Sequence, residues 1–219
     1  MTITPTTTAA STRLSRDDAG GLFGQTMGFV ALTAAFFALG AYIGRDLSGA
    51  WAICAFLGSL AALLGLHAAA QRSEQLALVL LFGFGLVLGL AAAPAVVDYL
   101  GEDPRPVWLA GGATALFVAG FGVAGYATRR DLSALQRFFF WALIGLIVFA
   151  VVLVFVEIPS GSLIYAIAGL VIFAGLTMFD FQRLRRTEDI RTAPLLAASI
   201  FLDALNVFLL FLSLFSRGE

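Results

Sequence analysis

Seven long apolar runs separated by short polar connectors leave this chain only one kind of structure. A segment lying in hydrocarbon finds no water for its amide groups, so each run must satisfy its own backbone, as a helix does. About 20 apolar residues cross a bilayer. Runs of that length are Gln25–Gly44, Ala50–Ala70, Gln75–Val97, Val107–Ala127, Ala134–Val156, Ser162–Gln182 and Ala193–Phe215. Composition agrees, with 60% hydrophobic and 12% charged residues, where a soluble domain carries about a quarter charged. The expected fold is an all-α membrane protein of seven transmembrane helices, one domain over residues 23–219 behind a tail of residues 1–22. Short connectors imply antiparallel neighbours.

Met1–Gly20 is polar and Thr-rich, without an apolar core or a small-residue cleavage site, so it reads as a flexible cytoplasmic tail and not as a signal peptide. Arginines set the orientation, because cytoplasmic loops collect basic residues. With the N-terminus inside, the inner segments hold Arg13, Arg16, Arg72, Arg129, Arg130, Arg137, Arg183, Arg185, Arg186 and Arg191, and the outer loops hold Arg45 and Arg105. The side on which Arg217 emerges depends on whether the seventh run spans or re-enters. All 13 basic residues are Arg, and Ala and Gly are abundant, which suggests a GC-rich bacterial genome and hence a bacterial inner membrane. A net charge of -1 says nothing about nucleic acid, and no basic stretch suits it, so no nucleic-acid partner is expected.

Gly40 with Gly44 and Gly85 with Gly89 repeat at four-residue spacing, which lets helix backbones approach closely in lipid. Gly83-Phe84-Gly85 lacks the preceding strand of a nucleotide fold. The single cysteine, Cys54, reads as small buried filler. His67, with no Cys, Asp or Glu at ligand spacing, reads as an interfacial residue and not a metal ligand. Trp51, Trp108 and Trp141 are expected as anchors near span ends. Asp98, Glu102, Asp103 and Glu157 fall in outer loops, where they form a solvated rim or concentrate cations at an entrance.

Two aspartates interrupt the last two runs, Asp180 and Asp203. A carboxylate in a spanning segment costs a few kcal/mol or more and is kept for function. Pro194 suits a first helical turn with Thr192 as its cap. Asp203 then lies about 13 Å into the helix, near mid-bilayer, and Asp180 nearer the inner end. Ser199 and Asn206 share a helix face with Asp203 and are expected to donate hydrogen bonds to it. Two carboxylates in contact cannot both ionise easily, so they would share a proton. Half-neutralised, such a pair holds two helices together; fully ionised, it repels or recruits a cation. The plain alternative is that Asp180 is an interfacial residue paired with Arg183 or Arg186.

Phe179-Asp180-Phe181-Gln182-Arg183-Leu184, followed by Phe201-Leu202-Asp203-Ala204-Leu205-Asn206-Val207-Phe208, resembles the paired signature of the Bax inhibitor-1 (TMBIM) family. Gly83-Phe84-Gly85-Leu86-x-Leu88-Gly89 with Ala93-Pro94, Thr114-Ala115-x-Phe117, and Tyr126-Ala127-Thr128-Arg129-Arg130-Asp131-Leu132-Ser133 support the likeness, from about residue 24 to the end. The resemblance implies six helices surrounding a central seventh. It also implies a pH-sensitive calcium leak gated by Asp180 and Asp203, with calcium as the ion these two residues would meet. No enzymatic activity and no cofactor are implied. Eukaryotic relatives are associated with suppression of cell death, and some bacterial relatives with modulation of a membrane-anchored ATP-dependent protease. No arginine lies in the second helix, so Arg183 is the candidate counter-charge.

Two other functions compete with the leak. An interaction protein restraining a membrane-anchored protease would use the tail and the basic inner loops. An intramembrane aspartyl protease would also place two aspartates on successive helices. That class carries Gly-x-Gly-Asp on the later helix, whereas Asp203 follows Ile200-Phe201-Leu202. Its Pro-Ala-Leu element is matched only by a misplaced Ala193-Pro194-Leu195.

Overall fold

The computed structural model describes residues 16–47, 49–187 and 189–216. They form seven α-helices: α1 (Arg16–Ile43), α2 (Gly49–Ala70), α3 (Glu74–Glu102), α4 (Arg105–Ala127), α5 (Ser133–Phe155), α6 (Gly161–Arg186) and α7 (Ala193–Phe215). Each is long and apolar enough to cross a membrane. The predicted runs map one to one onto them, and the differences lie at the ends. Helix α1 starts at Arg16 and not at Gln25, α3 continues through Pro94 to Glu102, and α6 runs on to Arg186. A backbone ladder does not stop where lipid stops, so polar residues prolong a helix that an apolar count would end. Residues 16–22, expected in the tail, therefore belong to α1, and residues 1–15 lie outside the described part.

Helix α7 is unbroken over 23 residues, about 34 Å at 1.5 Å per residue. That length crosses a hydrocarbon core of about 30 Å, whereas re-entry would require a break halfway. Pro194 occupies its first turn as expected. Thr192 does not cap it; the hydroxyl turns back to donate to the Asp189 carbonyl at 2.7 Å.

The helices group by threes. In the first half of the chain α3 lies between α1 and α2, and in the second half α6 lies between α4 and α5. Helix α7 fills the seam between the two groups, against α1, α4 and α6 and more lightly against α2 and α3. Helix α5 rests on α6. It faces α7 across a shared hollow, lined from α5 by Leu143, Leu146 and Ile147 and from α7 by Ser199, Asp203 and Asn206. Six helices thus surround a seventh, the most enclosed of the set.

The spaced glycines make the first group tight. An added Cβ at Gly40 would run into the Leu86 carbonyl and lie 3.0 Å from the Leu90 nitrogen. One at Gly89 would run into the Phe37 carbonyl and lie 2.9 Å from the Ala41 nitrogen. An added Cβ would lie 2.7 Å from the Thr33 carbonyl oxygen at Gly85 and 2.8 Å from the Ala93 Cβ at Gly44. Lipid tails give helices no hydrophobic reason to associate, so close backbone approach supplies the attraction instead. Gly125, whose added Cβ would strike the Met178 backbone, joins α4 to α6 in the same way. Phe201 on α7 then docks on the first group, with ring centroids 5.9 Å from Phe37 and 6.1 Å from Phe84.

Four residues face outward: three tryptophans and the cysteine. Trp51 and Trp108, exposed near the starts of α2 and α4, sit at the same end of the bundle, as anchors should. Trp141 is also exposed, but it lies about 12 Å into α5, deeper than a span-end anchor. Cys54 is exposed, not buried filler. The outer face of a membrane helix is as apolar as its core face, so residue type alone did not separate them.

Candidate functional site

Asp180 and Asp203 are 6% and 7% exposed, on α6 and α7. Measured from the connected ends of α6 and α7, Asp180 lies about 9 Å in and Asp203 about 15 Å, roughly one helical turn apart. Hydroxyl groups span that offset. Ser199, one turn before Asp203 on α7, donates to Asp180 Oδ2. Thr177, one turn from Asp180 on α6, donates to Asp203 Oδ2 at 3.4 Å. The bonds cross, so each carboxyl is held by the other helix. A buried carboxyl without a donor would cost several kcal/mol, and this arrangement gives each one a donor.

Two expectations change here. Ser199 serves Asp180 and not Asp203, and Asn206 Nδ2 donates to the Leu202 carbonyl at 2.8 Å on its own helix. Helical periodicity correctly put Ser199 and Asn206 on the face of Asp203. The level of α6 decides which carboxyl each one reaches. Thr177 was not singled out from sequence; its position three residues before Asp180, on the same face, was the available signal.

Both carboxyls face one cavity of about 400 Å³ between α5, α6 and α7. Ser199, Asn206, Arg183 and Gln136 add polar groups to its lining, and Leu143, Leu146 and Ile147 of α5 form an apolar wall. Arg183 and Gln136 are exposed, at the last turn of α6 and the first turn of α5, and so mark the mouth. The described ion pairs are Arg186–Asp131 at 3.1 Å and Arg45–Asp46 at 3.4 Å. Asp180 is therefore not an interfacial residue paired with Arg183 or Arg186, and Arg183 stands at the mouth without clasping either carboxyl. Two further hollows, of about 770 and 410 Å³, are lined almost wholly by apolar side chains.

Directly after Asp180, the end of α6 fastens the α4–α5 connector. Gln182, fully buried, donates to the Arg130 carbonyl at 2.7 Å and accepts from the Leu132 amide at 3.1 Å. Arg185 donates to the carbonyls of Tyr126 and Thr128, at 2.6 and 2.5 Å. Asp131 accepts from the Ser133 hydroxyl and amide as well as from Arg186. The Ser133 hydroxyl, then its amide, then Arg186 hold the Asp131 carboxyl below the usual carboxylate range. The glutamine of the Asp-x-Gln motif is thus a structural rivet.

Among the described residues no three His, Cys, Asp or Glu side chains gather as a metal cluster. The pair itself offers carboxyl and hydroxyl oxygens, hard ligands that suit calcium better than a soft metal. Of the acidic residues expected in outer loops, the side chains of Asp98 and Glu102 lie outside the described part. Asp103 accepts from the Arg105 amide at 2.9 Å, and Glu157 is exposed. His67 is exposed near the end of α2, in keeping with an interfacial residue.

A family model described as Inhibitor of apoptosis-promoting Bax1 matches residues 21–219. An uncharacterized protein of Deinococcus radiodurans is 34% identical over 167 residues, 72% of this chain and 71% of the relative. The inner membrane protein YbhL of Escherichia coli is 28% identical over 174 residues, 74% of this chain and 72% of its own. The uncharacterized protein YrjE of Lactococcus lactis is 28% identical over 163 residues, 71% and 68% of the two chains.

Proposed function

The chain belongs to the Bax inhibitor-1 family, and we propose that it is a pH-sensitive calcium leak of the bacterial inner membrane with Asp180 and Asp203 as its gating pair. One observation carries this reading: two nearly buried carboxyls face a single polar cavity at membrane depth, a turn apart on adjoining helices. While the pair shares one proton, it and its crossed hydroxyl bonds tie α6 to α7. When both carboxyls ionise, like charges push the helices apart and the oxygen set attracts a cation. Flux is therefore expected to grow as pH rises through the loss of the shared proton.

The arginine distribution supports a cytoplasmic side for the cavity mouth at Arg183 and Gln136. In this reading the N-terminus is cytoplasmic as well, and a spanning α7 carries its far end outside. The competing reading, a protein that restrains a membrane-anchored ATP-dependent protease, needs no vestibule. It predicts a companion on purification from native membranes. The leak reading is tested by calcium flux into liposomes carrying the purified protein, compared at acidic and alkaline pH. Asp180→Asn should abolish the pH response, and an unchanged response would remove Asp180 from the gate.

A further inference from the structure

The cavity is polar near its mouth and apolar deeper in. The bonds of Gln182 to the α4–α5 connector set the start of α5 level with the end of α6. Counted from those ends, Gln136 and Arg183 stand about 4–5 Å in, Asp180 about 9 Å and, on α7, Asp203 about 15 Å. From the level of Asp203 onward the walls are Leu143 and Leu176, then Leu146 and Phe173 at about 20 Å. Asn206, at that same level, donates its amide to the Leu202 carbonyl of its own helix. Tyr165 marks the far end, about 32 Å in. About 400 Å³ drawn out over such a length makes a slot for one slender chain.

The two carboxyls are only half used. Asp180 and Asp203 each accept one bond, at Oδ2. Among the described residues the one fully covered side-chain oxygen or nitrogen without a partner is Thr26 Oγ1. Each Oδ1 therefore keeps open surface, and the opening beside it is the cavity that both carboxyls line. The charged and titratable groups of that lining are the two carboxyls, Arg183 and Tyr165, all from α6 and α7; α5 adds the neutral Gln136, and α1 to α4 add nothing. With one shared proton, the pair's single negative charge balances Arg183. A monovalent cation in place of that proton keeps the balance, and a carbon chain attached to it would cover the apolar walls. We propose that the cavity binds a primary alkylammonium. Its N–H groups donate to the open Oδ1 atoms of Asp180 and Asp203, and its unbranched chain lies along Leu143, Leu146, Leu176 and Phe173. Binding expels the shared proton past Arg183 to solvent. Apolar walls with a few convergent polar groups, at this volume, are the usual form of a small-molecule site. The shared proton is taken from the leak reading, and no calcium flux is required.

Isothermal titration calorimetry of the full chain in detergent tests this, with octylamine as the probe and octan-1-ol as its uncharged match. Partition of each compound into the detergent is measured without protein and subtracted. Octylammonium should bind at least about tenfold tighter than the alcohol, the gain of a hydrogen bond to a charged group. Asp180→Asn and Asp203→Asn should each weaken the amine at least about tenfold. The alcohol's affinity should stay unchanged in both, which also shows that the variants are folded. In the wild type, octylamine should exceed butylamine by about threefold to fourfold for each added methylene. Repeating the titration at acidic pH in buffers of different ionisation enthalpy should give close to one proton released for each octylammonium bound. Equal affinities for amine and alcohol, an amine affinity unchanged in both aspartate variants, butylamine bound as tightly as octylamine, or no proton released overturns the alkylammonium site. Octylammonium binding by a protein that passes no calcium at any pH overturns the leak instead and leaves the site standing.

Discussion

Replacing Gly89 by alanine adds one methyl group where α1 and α3 leave no room. The new Cβ would overlap the Phe37 carbonyl oxygen and stand 2.9 Å from both the Phe37 carbonyl carbon and the Ala41 nitrogen. Ordinary van der Waals contact begins at 3.4 Å, and the obstructing atoms are backbone, so the helices must part by at least half an ångström. Overpacking of this kind costs about 1–3 kcal/mol. At roughly 2–4 °C per kcal/mol for a chain of this size, the melting temperature should fall by about 2–12 °C. Gly120 in α4 supplies the control, because an added Cβ there meets nothing within 4 Å. In a helix interior, Gly120→Ala should then be neutral or stabilising by about 0.5–1 kcal/mol. The assay is thermal unfolding in detergent followed by size-exclusion chromatography. The effect should reach the site, since the displaced Phe37 packs against Phe201, two residues from Asp203. Equal melting temperatures for the two variants would refute the close-packed account of α1 and α3.

Other consequences follow from the hydrogen bonds. Ser199→Ala leaves Asp180 without its donor and should destabilise by about 1.5–3 kcal/mol. Thr177→Val loses a bond of 3.4 Å and should cost less than about 1 kcal/mol; comparative thermal melts read the difference. Gln182→Leu strands the Arg130 carbonyl and the Leu132 amide. It should cost about 1–3 kcal/mol and speed hydrogen exchange at Leu132. Asp131 has a depressed carboxyl value in the folded protein, so its stabilisation is full above the unfolded value of about 3.9. It is lost as pH falls through the lower folded value, so the difference in melting temperature between wild type and Asp131→Asn should vanish at that acidic end.

The spans were legible because length and apolarity are local properties, and lipid enforces helix wherever both hold. The aspartate pair was legible for a related reason: charge in such a run contrasts with everything around it. What sequence missed depends on how one helix sits against another. The assignment of Ser199 to Asp203 used the periodicity of α7 alone, whereas the offset of about one turn against α6 hands Ser199 to Asp180 and brings in Thr177. Gln182 carried a motif position, but its partners in the α4–α5 connector are some fifty residues away in sequence. Cys54 was misplaced because lipid and protein core select the same side chains. The glycine pairs succeeded where Cys54 failed, because absence of a side chain at helical spacing has few uses other than close approach.

The central claim is that Asp180 and Asp203 act as one proton-sharing unit and not as two independent acids. A double-mutant cycle on the pH response of calcium flux tests it most directly, with Asp180→Asn, Asp203→Asn and the double variant in the same liposomes. The predicted result is that each single variant loses the response and the double variant loses nothing more. Two partial losses that add up in the double variant would show that the carboxyls titrate separately, and the gate would have no basis.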